Sequence, residues 1–187
     1  MRKTATIVAL VAMLGAMLAI LSGTGAAGQS VSAAQYGGPA DDPFVAGGGQ
    51  LGPGTFPGGF TIASRDFSVD ANVEKKGREV TGLFISGRNG ISSSQTNVTC
   101  VAIDGNQAAV GGVESTTGVG RLVFLIDNGP PSSAVRDQSS PIFTDPLDSP
   151  NWPIGFPTVC PAPNSGFNQE GHLDVHSGDI VIAEGTD

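Results

Sequence analysis

Thr96-Asn97-Val98-Thr99-Cys100-Val101-Ala102-Ile103-Asp104-Gly105-Asn106-Gln107-Ala108-Ala109-Val110-Gly111-Gly112-Val113 reads as a β-hairpin. Asp104, Gly105 and Asn106 tolerate the positive φ that a tight turn requires, and apolar segments flank them on both sides. With Gly105-Asn106 as the loop, Asp104 faces Gln107, Ile103 faces Ala108, Val101 faces Val110 and Val98 faces Val113. Moving the loop to Asp104-Gly105 sets Ile103 against Asn106 and Val98 against Gly111, so apolar pairing selects the first register.

The same alternation extends outward from this hairpin. Over Asp66 to Glu74, Phe67, Val69, Ala71 and Val73 alternate with Ser68, Asp70, Asn72 and Glu74, the period of a strand with one buried face. Phe60 and Ile62 open a shorter strand before it. Lys75-Lys76-Gly77 turns the chain into a partner strand over Arg78 to Ser86, the lysines being solvated tip charges. Leu122 to Ile126 is a continuous apolar run closed by Asp127-Asn128-Gly129-Pro130, which predicts a strand covered on both faces. Leu173/Val175 and Ile180-Val181-Ile182, divided by Ser177-Gly178-Asp179, predict a closing hairpin or a bulged strand. No 12-residue stretch after the N-terminal segment carries a helical period. Short strands between turn signals predict an all-β fold, an antiparallel β-sandwich or Greek-key barrel in a single domain.

Ahead of that domain lie two segments of other character. Arg2 and Lys3, the apolar stretch Ala5 to Leu21 and the small residues after it form the pattern of a secretory signal peptide over residues 1–34. Cleavage after Ala27 or after Ala34 satisfies the small-x-small rule. Residues 35–57, with Gly47-Gly48-Gly49 and Gly52-Pro53-Gly54, show neither period and are expected to form a flexible leader to the domain at 58–187. Within it, residues 130–163 hold nine of the 13 prolines and predict an irregular insert with one edge strand near Ser140 to Thr144.

The expected mature chain carries 17 acidic residues against seven Lys and Arg. It lacks the clustered cations that nucleic acid requires and would be repelled by an anionic membrane. We expect a secreted, extracellular or cell-surface protein, a monomer with no membrane insertion of the mature chain. Cys100 and Cys160 are the only cysteines, and in an oxidising compartment an even count predicts a disulfide between them. Trp152, the only tryptophan, sits with Phe156 in Asn151-Trp152-Pro153-Ile154-Gly155-Phe156-Pro157. A proline-stiffened aromatic loop can contact a ligand, or fold back to seal an open end of the sandwich; the second is the more common use.

His172-x-Asp174-x-His176 is the one constellation with metal-ligating chemistry, and imidazole with carboxylate suits Zn²⁺. At about 3.3 Å per residue the two imidazoles lie roughly 13 Å apart along a strand, too far for one ion without a bulge. A solvated strand face is the expected reading. Asp127, Asp137, Asp145 and Asp148 could gather around Ca²⁺, although the spacing of a calcium loop is missing. No cofactor is expected. Paired carboxylates for glycoside hydrolysis depend on a separation that only the fold sets. Gly-x-Ser-x-Gly, His-Glu-x-x-His, phosphate-loop and dinucleotide patterns do not occur. Asn97-Val98-Thr99 matches a glycosylation sequon inside a predicted strand.

Val98 to Ala108, Phe124-Leu125-Ile126-Asp127-Asn128-Gly129 and Gly171-His172-Leu173-Asp174-Val175-His176, in that order, are similar to an uncharacterised group of secreted bacterial β domains of the post-COAP type. The likeness spans about residues 48–183. It implies fold and export and is silent on activity. The functional expectation is a non-catalytic module of the bacterial exterior that binds an extracellular protein or glycan or serves structurally. The alternative is a metal-dependent or carbohydrate-active enzyme using His172, Asp174 or His176.

Overall fold

The computed structural model describes residues 42–57, 59, 61–74, 79–88, 92–130, 132–148, 150–165 and 171–185. The segment expected to be a signal peptide, Phe60 and the turn expected at Lys75-Lys76-Gly77 lie outside the described residues. The strands are β1 (Phe44–Leu51), β2 (Gly54–Thr55), β3 (Thr61–Ile62), β4 (Arg65–Glu74), β5 (Glu79–Arg88), β6 (Ser92–Asp104), β7 (Gln107–Glu114), β8 (Gly120–Ile126), β9 (Gln138–Ser139), β10 (Phe143–Asp145) and β11 (Leu173–Ala183). No helix occurs among the described residues, and so none is long and apolar enough to cross a membrane.

The fold is all-β and antiparallel, and of the two expected architectures the chain adopts the barrel. The order β8-β7-β6-β5-β4-β1-β11-β9 returns to β8 through a β8–β9 pairing, which closes an eight-stranded ring. β10 adds to the same edge of β8 as β9, further along, and β2–β3 form a separate small hairpin. Closure joins the two edges of the sheet through β9, by two residue pairs on each side. Phe67, Val69 and Ala71 of β4, Phe84 of β5, Val98 of β6, Ala108 and Val110 of β7, and Val123 and Leu125 of β8 fill the interior. These are the inward members of the period-two patterns, and burying them drives the fold.

The β6–β7 hairpin keeps the expected register from Asp104↔Gln107 to Val101↔Val110. A bulge at Thr99 then shifts it, so Val98 faces Gly112 rather than Val113. β8 is buried on both faces, as its continuous apolar run predicts. The last segment is one bulged strand, with an irregularity where Ser177 faces Gln50 and Val175 faces Leu51.

The leader expected over 35–57 is corrected. Phe44–Leu51 is β1, held between β4 and β11 along its length. Glycines that resemble a linker in sequence are required here by close backbone approach. A Cβ on Gly47, whose φ is 129°, would lie 2.1 Å from the Asp179 carbonyl oxygen, and one on Gly49 would lie 2.0 Å from that of Ser177. The domain therefore includes Phe44–Leu51 and does not begin at residue 58.

A second apolar cluster lies outside the ring, where Ala109, Leu122 and Phe124 meet Trp152, Phe143 and Phe156 from the insert. The Trp152 and Phe156 rings stack with centroids 4.7 Å apart. Gly111 and Gly120 make room for them: a Cβ on Gly111 would lie 2.5 Å from the Phe156 ring, and one on Gly120 3.2 Å from that of Trp152. Cys100 and Cys160 form the expected disulfide, with Cα atoms 5.3 Å apart, pinning the insert to β6. On the chain-entropy account, closing this 60-residue separation stabilises the fold by about 4 kcal/mol.

Candidate functional site

One end of the ring is polar. The start of β4, the end of β5, the start of β6, the end of β7 and the start of β8 meet there around an open cavity of about 380 Å³. Its wall includes Arg65, Ser86, Ser94, Glu114 and Arg121. Each follows the inward parity of its strand: Arg65 is in phase with Phe67, Ser86 with Phe84, Ser94 with Val98, Glu114 with Val110, and Arg121 with Val123. Leu51, Phe56 and Ile62, from the end of β1 and the β2–β3 region, belong to the inner core.

A chain of bonds orders the mouth. Arg121 Nη2 donates to Glu114 Oε2 at 2.9 Å, and the same oxygen accepts from the Thr117 hydroxyl. Arg121 Nη1 reaches Thr144 Oγ1 of β10 at 2.5 Å. Glu114 is 5% exposed, yet its carboxyl is held below the usual range, first by the Thr117 hydrogen bond and then by Arg121, against the opposing effect of burial. Ser86 and Ser94 share a hydrogen bond of 2.9 Å across β5 and β6. Beside the mouth, two buried polar atoms have no hydrogen-bond partner among the described residues: Arg121 Nε, shielded from solvent, and Oγ1 of Thr96, a residue only 2% exposed and paired with Phe84 and Glu114.

The second polar feature is the seam between β8 and β11. β9 bridges it for only two residue pairs; beyond them carboxylates take the place of a strand. Asp137 accepts from the Asn128 N–H at 2.8 Å and from the Ile180 N–H at 2.7 Å. Asp127 accepts from the N–H groups of Gly129, at 2.8 Å, and Ile182, at 3.1 Å. Asp179, 6% exposed, adjoins both and is pushed up to about 6 by desolvation and by the charges of Asp137 and Asp127.

The acids expected to gather around Ca²⁺ are thus divided. Asp127 and Asp137 serve backbone N–H groups at the seam, whereas Asp145 lies in β10 opposite Gly120, at the far end of β8. His172, Asp174 and His176 do not converge either. Asp174 accepts from Gln138 Nε2 and the His176 Nδ1 accepts from Arg136 Nη1, both at 2.9 Å, so these side chains fasten β11 to the insert. Burial lowers the pKa of His172. Among the described residues no three His, Cys, Asp or Glu side chains are grouped to hold an ion. Trp152 is 9% exposed and Phe156 half-buried, so the aromatic pair packs on the outer face of β7 and β8 instead of sealing an end. Asn97 is exposed on β6, while Thr99 Oγ1 donates to the Pro157 carbonyl at 2.6 Å.

The mouth is not apparent from the order of residues alone. Its signal was present as hydrophilic residues at inward positions near strand ends, but parity can be assigned only once register and the Thr99 bulge are known. No family model, curated protein or solved structure matches the chain.

Proposed function

We propose that this protein is an exported, non-catalytic binding module of the bacterial exterior or cell surface, whose barrel mouth receives a small polar group at the end of an extracellular glycan. One observation carries the reading. A ring filled with apolar side chains along most of its length ends in a cavity of about 380 Å³ walled by hydroxyls, two guanidinium groups and a carboxylate. Barrel mouths are common ligand sites, and this volume falls near the low end for small-molecule pockets. Polar groups fixed on rigid strands lose little freedom when a ligand arrives. Export is supported by the N-terminal pattern and is compatible with the Cys100–Cys160 disulfide.

The test is a titration of the purified protein with neutral and acidic monosaccharides, followed through backbone amide resonances. Shifts confined to residues around the mouth, Gly87 and Ser93 among them, are expected. Shifts only on the Trp152–Phe156 loop, or none with any sugar, would refute the assignment. N-terminal sequencing of protein recovered from the culture medium should begin at Gly28 or Gln35; recovery only inside cells would refute export.

A further inference from the structure

We propose that the end of the barrel opposite the mouth binds an extended peptide segment of a partner protein, added as a strand along the free edge of β6. The wall of the ring divides there. The β5–β6 ladder ends at Leu83↔Asn97, although β5 begins at Glu79 and β6 runs on to Asp104. Residues 79–82 are therefore paired with β4 alone, and residues 98–104 with β7 alone. The two-residue turn at Gly105-Asn106 makes Asp104 and Gln107 a hydrogen-bonded pair. Ala102 and Cys100 then also bond to β7, while the N–H and C=O groups of Val101 and Ile103 point away from it. Among the described residues no other backbone hydrogen bond reaches those groups. This site is separate from the mouth and does not depend on the sugar-binding role proposed there.

The edge itself selects its occupant. Donor and acceptor groups that recur at every second residue, about 7 Å apart, are matched by another extended backbone and by no sugar or lipid. Side chains add a pattern. Val101 and Ile103 of β6 and Val80 of β5 are only partly buried against the inner core. An added strand turns every second side chain onto this incompletely covered apolar surface. Its remaining side chains face outward beside Glu79 and Asp104, both exposed. Residues 79–82 and 98–104 contain no cation, and opposite charges on neighbouring strands attract. The chain's formal net charge of −8 favours an incoming segment of the same positive sign. The occupant is thus a segment with apolar residues at alternate positions and Lys or Arg among the residues between them.

The probe is the end-capped peptide Lys-Val-Thr-Val-Thr-Val-Lys, compared with its N-methylated form and with a form carrying Glu in place of Lys. In the free protein, sedimentation should show a monomer. Hydrogen exchange at the amides of Val101 and Ile103 should be at least about tenfold faster than at Ala102, which bonds to β7. The lysine peptide should slow both amides by about tenfold or more. Its N-methylated form keeps the side chains but cannot donate to the edge, and should bind at least about tenfold more weakly. The glutamate form should be weakened to a similar degree, by about tenfold. Exchange at Val101 and Ile103 as slow as at Ala102 in a monomer would mean that the edge is covered within the chain. Slow exchange in a dimer would assign the edge to a second copy. Either result overturns the proposal, as does failure of the lysine peptide to bind, or equal binding of its N-methylated form. Equal binding of the glutamate form would overturn the charge preference and leave the edge as the site.

Discussion

Asp179→Asn should make the barrel more stable at neutral pH and remove a pH dependence that the wild type carries. At the β8–β11 seam, Asp127 and Asp137 are each committed as acceptors to two backbone N–H groups. Desolvation, and the charges of both neighbours, act on Asp179. The other titratable groups at the adjoining cavity of about 190 Å³ are Arg136 and His176, which bond to each other. Asp179 is raised from its ordinary 3.8 to about 6, and each pH unit of such a change corresponds to about 1.4 kcal/mol. A raised folded value means that the folded chain binds the proton more tightly than the unfolded one. The contribution is thus fully present below about 3.8, declines as pH rises, and is lost above about 6. It amounts to at most about 3 kcal/mol, of which about 2 kcal/mol is present at pH 4.5; screening by water in the cavity reduces both. An asparagine resembles the protonated acid in being neutral and able to donate to Asp137. Its advantage over wild type should be about 2–3 kcal/mol at pH 7.5 and should nearly vanish by about pH 4. Urea unfolding followed by the fluorescence of Trp152, the only tryptophan, measures both proteins at both pH values. A difference between them that stays constant within about 0.5 kcal/mol, or a destabilised variant at pH 7.5, would refute the reasoning.

Other consequences follow from the same packing. Reduction of the disulfide, or Cys100→Ser with Cys160→Ser, should cost about 4 kcal/mol in urea unfolding; the 60-residue separation sets that figure, and a loss below about 1 kcal/mol would count against the pinned insert. Trp152→Ala should cost about 3–5 kcal/mol because it empties the outer cluster. Gly111→Ala, whose Cβ would lie 2.5 Å from the Phe156 ring, should cost about 1–3 kcal/mol by displacing that ring, seen as a lower urea midpoint. Arg121→Ala removes the ion-pair partner of a carboxylate that is 5% exposed and still accepts from Thr117, so a loss of about 1–3 kcal/mol is expected. With Arg121 intact, the contribution of Glu114 is present above the ordinary carboxylate range and is lost as pH falls through its lowered value; an Arg121→Ala chain should lose stability at a higher pH on acid titration.

Much of the ring was legible locally. The alternation in β4, the Gly105-Asn106 turn, the doubly covered β8 and the bulged β11 follow from side-chain period and turn chemistry, which act over neighbouring residues. β1 was not legible, because Gly47-Gly48-Gly49 carries no side-chain period. The need for glycine there comes from the Asp179 and Ser177 carbonyls, about 130 residues away in sequence. The Trp152–Phe156 pair was recognisable as a feature, but its seat depends on Gly111 and Gly120 of other strands.

By itself, the amino-acid order determined an acidic, all-β chain with one cysteine pair, since charge, period and cysteine count are local or additive properties. Tertiary structure alone decided that the sheet closes, that Asp127 and Asp137 complete its seam, and that Arg65, Ser86, Ser94, Glu114 and Arg121 share one mouth. These residues come from five strands. Only ring closure and register, shifted by the bulge at Thr99, turn their side chains to the same end of one interior.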